Sequence, residues 1–228
     1  MNKLTHMMLQ HGFIGCLILA LRSITQYLRA LCYQYEHHVW YAAATSQIAA
    51  MCPLPIGLSL QRGGFEHVDF LSQANLCGRR EATKFFSENA DLWIVRDAEQ
   101  AAFCCWIFRY YMPAVAARGG WMELPLKTVC LEGSTTGTRY RGRGIAPMAW
   151  ALIAHDLQRE GVHTIITKVA IDNTSSRRAV LKAGFHEAAA TEFFKLGAIS
   201  RLRVTPIGEV REQDRVMLYD LRNLLRPS

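Results

Sequence analysis

The residues best suited to chemistry lie in the short stretch 139–146, which reads Arg-Tyr-Arg-Gly-Arg-Gly-Ile-Ala. An extended apolar run precedes the stretch and a helical pattern follows it, so a strand–loop–helix junction is expected. Such a junction presents unpaired backbone N–H groups at the positive end of a helix. Gly142 and Gly144 would let the backbone approach an anion closely, and three arginines in five residues add positive charge. The stretch therefore suits a pyrophosphate group.

The common nucleotide-binding motifs do not account for this loop. It lacks the Gly-Lys-Ser/Thr ending of a nucleoside-triphosphate P-loop, and the dinucleotide pattern Gly-x-Gly-x-x-Gly is absent. Spacing alone leaves one alternative open, which is a tight turn with a solvated basic surface.

A second motif lies further along the chain and reads Asn173-Thr-Ser-Ser-Arg-Arg-Ala-Val-Leu-Lys-Ala-Gly184-Phe185. It predicts a helix that begins at an asparagine and is closed by a glycine. The segment Tyr140-Arg-Gly-Arg-Gly-Ile-Ala-Pro-Met-Ala-Trp resembles the acetyl-CoA loop and following helix of the GCN5-related N-acetyltransferase (GNAT) superfamily, whose pattern is Arg/Gln-x-x-Gly-x-Gly/Ala. The second motif resembles that superfamily's next helix, and the two occur in the right order with a strand between them.

The resemblance covers roughly residues 54–207, and two frames fit its first motif. One is Arg139-x-x-Gly142-x-Gly144, and the other is Arg141-x-x-Gly144-x-Ala146. We prefer the second frame because it starts the helix at Ile145.

The resemblance implies a fold and an activity. The expected fold is α/β, with a mixed and mostly antiparallel central sheet flanked by helices and an added N-terminal helical segment. The expected activity is transfer of an acetyl or other acyl group from acyl-CoA to an amine of a small molecule by direct attack, without a metal. Amino sugars and amino acids are the candidate acceptors. The alternative is a non-catalytic acyl-CoA sensor with the same fold.

The resemblance also assigns the cofactor contacts. Backbone N–H groups of Arg143, Gly144, Ile145 and Ala146 would hold the CoA pyrophosphate, with Arg141 and Gly142 in the same loop. The strand that ends near Thr136 would separate from its neighbour and let the pantetheine chain pair with its edge. Asn173 would contact the pantetheine arm, a role compatible with capping its own helix.

The catalytic residues are less clearly marked than the cofactor loop. Glu132 lies on the strand before the loop, where the family often places its base, although it could equally be a salt-bridged strand residue. Glu123 is the reserve candidate. Many members carry a tyrosine where this chain has Val180, so release of the thiolate would rely on Ser176, on water or on no acid. Cys130 has no evident histidine partner and is expected to be a core thiol.

The remaining patterns predict alternating strands and helices, which indicates an α/β layer structure. Strands are expected at residues 56–60, 92–96, 102–108, 127–136, 163–171, 185–196 and 200–207, and helices at 65–76, 80–88, 145–157, 173–182 and 211–225. We therefore divide the chain into a helical extension (1–52), an acyl-CoA N-acyltransferase domain (53–208) and a helical tail (209–228).

The first fifty residues show helical spacing, with a stripe of apolar side chains at Ile14, Leu17, Leu21, Ile24, Leu28, Leu31 and Tyr35. We expect this helix to pack on its own domain, with a homodimer seam or a membrane surface as alternatives. The polar and aromatic segment 33–41 could instead line an acceptor pocket or simply pack.

Composition sets broad limits on the function. The net charge of +7 and pI near 9.2 favour an anionic partner. Because the densest basic cluster coincides with the expected cofactor loop, nucleic acid is not expected as that partner.

The seven cysteines form no Cys-x-x-Cys pair, which favours reduced, buried thiols. The apolar run 13–21 is too short to span a membrane, so a soluble cytoplasmic protein is expected.

Overall fold

The computed structural model describes residues 33–48, 53–209 and 211–223. Its ten strands are β1 (Tyr33–Ala44), β2 (Ser59–Gly63), β3 (Asp91–Arg96), β4 (Ala101–Phe108), β5 (Tyr111–Pro113), β6 (Trp121–Glu123), β7 (Thr128–Thr136), β8 (Thr164–Ala170), β9 (His186–Leu196) and β10 (Ile199–Pro206). The helices are α1 (Val68–Gln73), α2 (Arg79–Ser87), α3 (Ile145–Arg159), α4 (Thr174–Lys182) and α5 (Glu212–Asn223).

Eight of the strands form one sheet in the order β10-β9-β1-β8-β7-β4-β3-β2, and β5 pairs with β6 in a separate hairpin. Among the described strand pairs, β7 and β8 are parallel and the others are antiparallel. The predicted mixed, mostly antiparallel sheet flanked by helices is therefore confirmed. The hairpin predicted between residues 92–96 and 102–108 is β3–β4.

Helices cover both faces of the sheet, and each face has its own apolar core. On one face α3 packs through Ile145, Ala149 and Ile153 against strand residues such as Leu131. On the other face, α1, α2 and α5 pack against residues that include Trp106 and Cys130. The strand β4 is buried along its whole length, since it lies inside the sheet with helices above and below it. Within the described part of the chain, no helix is both long and apolar enough to cross a membrane.

The N-terminal helix prediction is wrong for residues 33–44, which form β1, whereas residues 1–32 lie outside the described part of the chain. This strand is inserted between β8 and β9 and is antiparallel to both. Because its side chains alternate between the two cores, Trp40 and Ala42 face one side and Val39 and Tyr41 the other. Burial on both faces and pairing with two distant strands override the helical spacing of its residues.

The small hairpin β5–β6 was not predicted, because the glycines and proline around it read as irregular chain. Most other elements agree with their predicted positions within a few residues.

Four described cysteines (Cys77, Cys104, Cys105 and Cys130) are buried free thiols, as expected. The other three cysteines lie outside the described residues.

Candidate active-site cleft between two parallel strands

The centre of the sheet contains a gap between β7 and β8. The two strands pair only from Thr128↔Thr164 to Cys130↔Ile166, although β7 continues to Thr136 and β8 to Ala170. The separation leaves a cleft of about 830 Å³. It is lined by both strands, by the start of α3 and by the start of α4. An extended ligand could therefore pair with the free edge of a strand inside the sheet.

A bulge in β7 accompanies the separation. Cys104 of β4 pairs with Thr135, but Trp106 pairs with Glu132, so β7 contains one extra residue between these pairs. Gly133 lies at the bulge with a φ of +60°. A Cβ at this position would lie 2.9 Å from Trp106 Cδ1, closer than side chains tolerate. Because a bulge bends its strand and increases the local twist, it turns the end of β7 away from β8.

The glycine-rich loop lies at one end of the cleft, where α3 begins. Helix α3 starts at Ile145 with Gly144 as its N-cap, as the preferred motif frame predicts. Gly144 has a φ of +71° and Gly142 a φ of +77°, which is the left-handed region that glycine adopts without strain. No side chain caps the helix, and a Cβ built on Gly142 would meet nothing within 4 Å. The backbone here is open to an anion at the positive end of a helix.

Contacts with neighbouring elements hold the loop in place. The Gly137 N–H donates to the Ala102 carbonyl at 2.8 Å, and the Tyr140 hydroxyl donates to Asp97 Oδ2 at 2.7 Å. That hydroxyl hydrogen bond lowers the pKa of Asp97. The Arg141 Nε–H donates to the Thr136 carbonyl at 3.2 Å, so this arginine also ties the loop to the end of β7. The loop is thus anchored before any ligand binds.

The start of α4 forms the opposite wall of the cleft. Asn173 caps this helix, because its Oδ1 accepts from the Ser176 N–H at 3.1 Å and from the Ser175 hydroxyl at 3.0 Å. The capping role of Asn173 is therefore present, and both Asn173 and Ser176 line the cleft. Val180 is buried in the same wall, where many family members carry a tyrosine.

Glu132 and Lys168 lie opposite each other where the two strands part. Lys168 Nζ is 2.9 Å from Glu132 Oε1, and it also donates to the Pro113 carbonyl at 2.5 Å. Burial opposes the charge on Lys168, but the surrounding acidic groups, with Glu132 foremost and Cys130 and Glu36 also contributing, together raise the lysine pKa. Lys168 is therefore protonated at neutral pH, and Glu132 is held as its ion-pair partner across the gap.

The structure separates the other two catalytic candidates from the cleft. Glu123 lies on β6 and does not line the cleft. Burial raises the pKa of Asp220 on α5, and the negative charge of Glu123 adds to this effect. Cys130 is fully buried, and burial raises the pKa of its thiol well above the usual range. A thiol kept neutral in a core is a poor nucleophile, which agrees with the expectation of a core thiol.

Sequence reasoning did not find Lys168, which lines the cleft, or Glu36 and His38, whose charges interact with Lys168 from outside the cleft lining. Glu36 and His38 lie on β1 within the polar and aromatic segment 33–41, which was considered as an acceptor-pocket lining. Their position beside Lys168 follows from pairing between β1 and β8, which local sequence patterns do not reveal.

A mixed sheet split between two parallel strands, with a glycine-rich helix N-terminus at the split, is the arrangement that the resemblance to the N-acyltransferases implies. Residues 69–185, more than half of the chain, match the family described as Acetyltransferase (GNAT) family. The chain belongs to this family, whose members transfer acyl groups from acyl-CoA to amines. No curated protein matches the sequence.

Solved structures support the fold. A functionally unknown conserved protein from Staphylococcus epidermidis has a TM-score of 0.53 at 12% identity, over 78% of this chain and 68% of that one. A GNAT-family acetyltransferase from Colwellia psychrerythraea has a TM-score of 0.51 at 13% identity, over 72% of this chain and 57% of that one. A Drosophila protein has a TM-score of 0.50 at 14% identity, over 78% of this chain and 57% of that one. These similarities concern the fold alone.

Proposed function

We propose that this protein transfers an acetyl or other acyl group from acyl-CoA to an amine of a small molecule. The observation that carries the proposal is the cleft itself. A free strand edge of β7 leads from the ion pair at Glu132 to the uncapped N-terminus of α3. A long donor with a pyrophosphate at one end and a thioester at the other matches this layout. When bound, acyl-CoA supplies the activated acyl group.

Each part of the cleft has an assigned task in this proposal. The N–H groups of Gly144, Ile145 and Ala146, with those of Gly142 and Arg143, hold the pyrophosphate, and the guanidinium groups of Arg141 and Arg143 add positive charge. The edge of β7 as far as Thr136 pairs with the pantetheine amides. Asn173, while capping α4, presents its remaining amide N–H groups to the same arm.

The bulge in β7 lies where the reacting carbonyl would be placed. A bulge leaves one residue outside the ladder, so its backbone N–H is available to stabilise negative charge that develops on the carbonyl oxygen. Glu132 is the proposed base and accepts the amine proton directly or through a water molecule. Lys168 holds the Glu132 carboxylate in place through the 2.9 Å ion pair. Ser176 is the proposed hydroxyl that protonates the departing thiolate, since Val180 offers none.

The proposed donor site is tested by ligand-induced stabilisation. CoA should raise the melting temperature of the wild-type protein, because a ligand that binds the native state stabilises it by mass action. Gly144→Val should abolish the shift, since a side chain at the N-cap blocks close approach of the pyrophosphate. Gly161→Val is the matched control, because Gly161 also has a positive φ of +85° but lies outside the cleft. An equal CoA shift in wild type and Gly144→Val would refute the placement.

The proposed activity is tested by measuring thiol release from acetyl-CoA with amino sugars, amino acids and polyamines as acceptors. Val180 in place of a tyrosine is the observation that favours the second candidate, an acyl-CoA sensor without turnover. A melting-temperature shift with CoA but no thiol release with any amine would favour the sensor. Thiol release that depends on an amine would favour the enzyme.

A further inference from the structure

The cleft between β7 and β8 is lined by side chains from both faces of the sheet. Leu131 and Val169 line it on the face covered by α3, whereas Glu132 and Lys168 line it on the opposite face. Successive strand residues point to opposite faces, so a cleft that reaches both sets of side chains passes through the sheet. If the donor binds at the α3 side, as proposed above, the acceptor amine can approach from the side of Glu132 and Lys168.

Strand β1 brings three further side chains to this second face. Trp40 pairs with Lys168 and His38 with Ala170, and Glu36 lies two residues further along the same face of β1. The Lys168 ammonium is 5.8 Å from the Trp40 ring centroid. Trp40 is fixed by its own indole N–H, which donates to Thr191 Oγ1 at 2.9 Å. The result is a polar cluster on β1, β8 and β7 that consists of Glu36, His38, Trp40, Lys168 and Glu132.

The charges in this polar cluster do not balance. Lys168 and Glu132 neutralise each other at 2.9 Å. Burial, followed by the positive charge of Lys168, lowers the pKa of His38 to about 4, so His38 is neutral at pH 7. His38 Nδ1 lies 3.8 Å from Glu36 Oε2, and within the described residues no other basic nitrogen lies within 4.0 Å of that carboxylate. The polar cluster therefore holds two carboxylates and one protonated amine, and that amine, although its charge also acts on Glu36, is hydrogen-bonded to Glu132.

Glu36 is also poorly solvated, with a side chain that is 29% exposed. Burial, opposed by Lys168 and reinforced by the charge of Glu132, raises its pKa. A carboxylate that has lost part of its hydration gains more from a bound cation than an exposed one does. It remains accessible from solvent, as a ligand-binding group must be.

We propose that Glu36 binds a protonated amino group of the acceptor, so that the preferred acceptors are molecules with two amino groups. One amine enters as the neutral free base, attacks the acyl carbon and passes one proton to Glu132, and the other stays protonated at Glu36. The inference rests on the proposed function and narrows it from amines in general to diamines and polyamines. His38 and Trp40 lie on the same face of β1 as Glu36, towards the Lys168–Glu132 ion pair.

The bond changes balance without a further reactant. The free amine forms a C–N bond to the acyl carbon as the C–S bond of the thioester breaks. The amine proton passes to Glu132, and the thiolate leaves with a proton from Ser176 or water. The second amino group is unchanged throughout, so its contribution is to binding rather than to the chemical step.

The test compares putrescine, which has two amino groups, with pentylamine, which has a methyl group in place of the second. Dissociation constants are measured by calorimetry in the presence of CoA, for wild type, Glu36→Gln and Glu192→Gln. Glu192 is the matched control, because it lies on β9 and contacts His37 at 3.9 Å rather than the polar cluster. Unchanged melting temperatures would show that the variants fold.

We expect wild type and Glu192→Gln to bind putrescine at least 10-fold more tightly than pentylamine, since only putrescine has a second ammonium group that can form a charge-assisted hydrogen bond with Glu36. Glu36→Gln should lose that preference and bind pentylamine unchanged. In kinetics the same variant should raise KM for putrescine with little change in kcat. An equal preference in wild type and Glu36→Gln would overturn the inference, as would no preference in wild type. Preferential binding without thiol release would instead overturn the proposed transfer reaction while leaving the Glu36 site in place.

Discussion

At the scale of single residues, the most informative contact is the ion pair between Glu132 and Lys168. The family resemblance proposes Glu132 as a base, and a salt-bridged strand residue was the alternative. The structure shows that the salt bridge exists and that it lies at the mouth of the cleft, where β7 and β8 separate. The two interpretations are compatible, because the ion pair holds the carboxylate in a fixed position at the cleft.

The base assignment predicts a specific kinetic change. Glu132→Gln should lower kcat by about 100-fold or more, because the amide cannot accept the amine proton. CoA should still raise the melting temperature of the variant, since the pyrophosphate loop is unchanged.

Glu123→Gln is the comparison variant and should retain near wild-type kcat, because Glu123 lies outside the cleft. If Glu132→Gln kept full activity, proton transfer would have to use another group, and the assignment of Glu132 would be wrong.

At the scale of elements, the two ends of strand β7 have different hydrogen-bonding roles, which a regular strand paired along its whole length could not provide. Its first residues must pair with β8 to hold the sheet together, and its last residues must leave an edge free for a ligand. The bulge at Gly133 separates these two parts. Helix α3 then begins beyond the loop, so that its N-terminus and the free strand edge face one cleft.

This interpretation predicts that substitution of Gly133, the glycine of β7, destabilises the protein. Gly133→Ala should destabilise the fold by about 1–3 kcal/mol. An alanine is strained at the positive φ of this position, and its methyl group would lie only 2.9 Å from Trp106. The midpoint of urea unfolding measures the loss. If β7 relaxes by losing the bulge, the melting-temperature shift with CoA should also fall.

Gly197→Ala provides the control for backbone strain alone. Gly197 has nearly the same φ, +58°, but a Cβ there would meet nothing within 4 Å. Equal destabilisation in the two variants would show that contact with Trp106 is unimportant.

At the scale of the whole molecule, β1 links the two halves of the sheet. It lies between β8 and β9, which follow each other in the chain but are not neighbours in the sheet. The strand completes the core on both faces and also places Glu36 and His38 beside the ion pair. Folding stability and the composition of the site therefore depend on the same strand.

Burial of His38 in β1 predicts a pH dependence of stability. The folded-state pKa of about 4 lies below the ordinary value of 6.5, so the unfolded chain binds a proton in this range that the native state does not. Stability should therefore rise as pH increases from 4 to 6.5, with a contribution from His38 of up to about 3 kcal/mol. Urea unfolding across this pH range measures it.

The comparison is with His38→Gln, which has no group that titrates at this position. The raised pKa of Glu36 acts on stability with the opposite sign, because a raised carboxyl pKa stabilises the fold at low pH, but Glu36 is present in both proteins. The variant should show a weaker dependence on pH than wild type. Parallel curves for the two proteins would contradict a partly buried, neutral His38.

Local sequence determined the loop, the two motif helices and the β3–β4 hairpin. These elements follow from glycine conformations, helix caps and short-range apolar periodicity, which act between residues close in the chain. Gly144 as the N-cap of α3 and Asn173 as the N-cap of α4 are such cases. The positions of Glu132, Thr136 and Ser176 around one cleft were expected from the family resemblance rather than from periodicity.

Only the tertiary structure decided the role of residues 33–44, the partner of Glu132 and the charge on the polar cluster. Helical spacing predicted a helix for β1, but burial between two strands that follow much later in the chain makes it a strand. Lys168 and Glu36 carry no local signal, because their chemistry depends on neighbours contributed by other strands. Interactions between residues distant in sequence stabilise a sheet, and local patterns do not contain them.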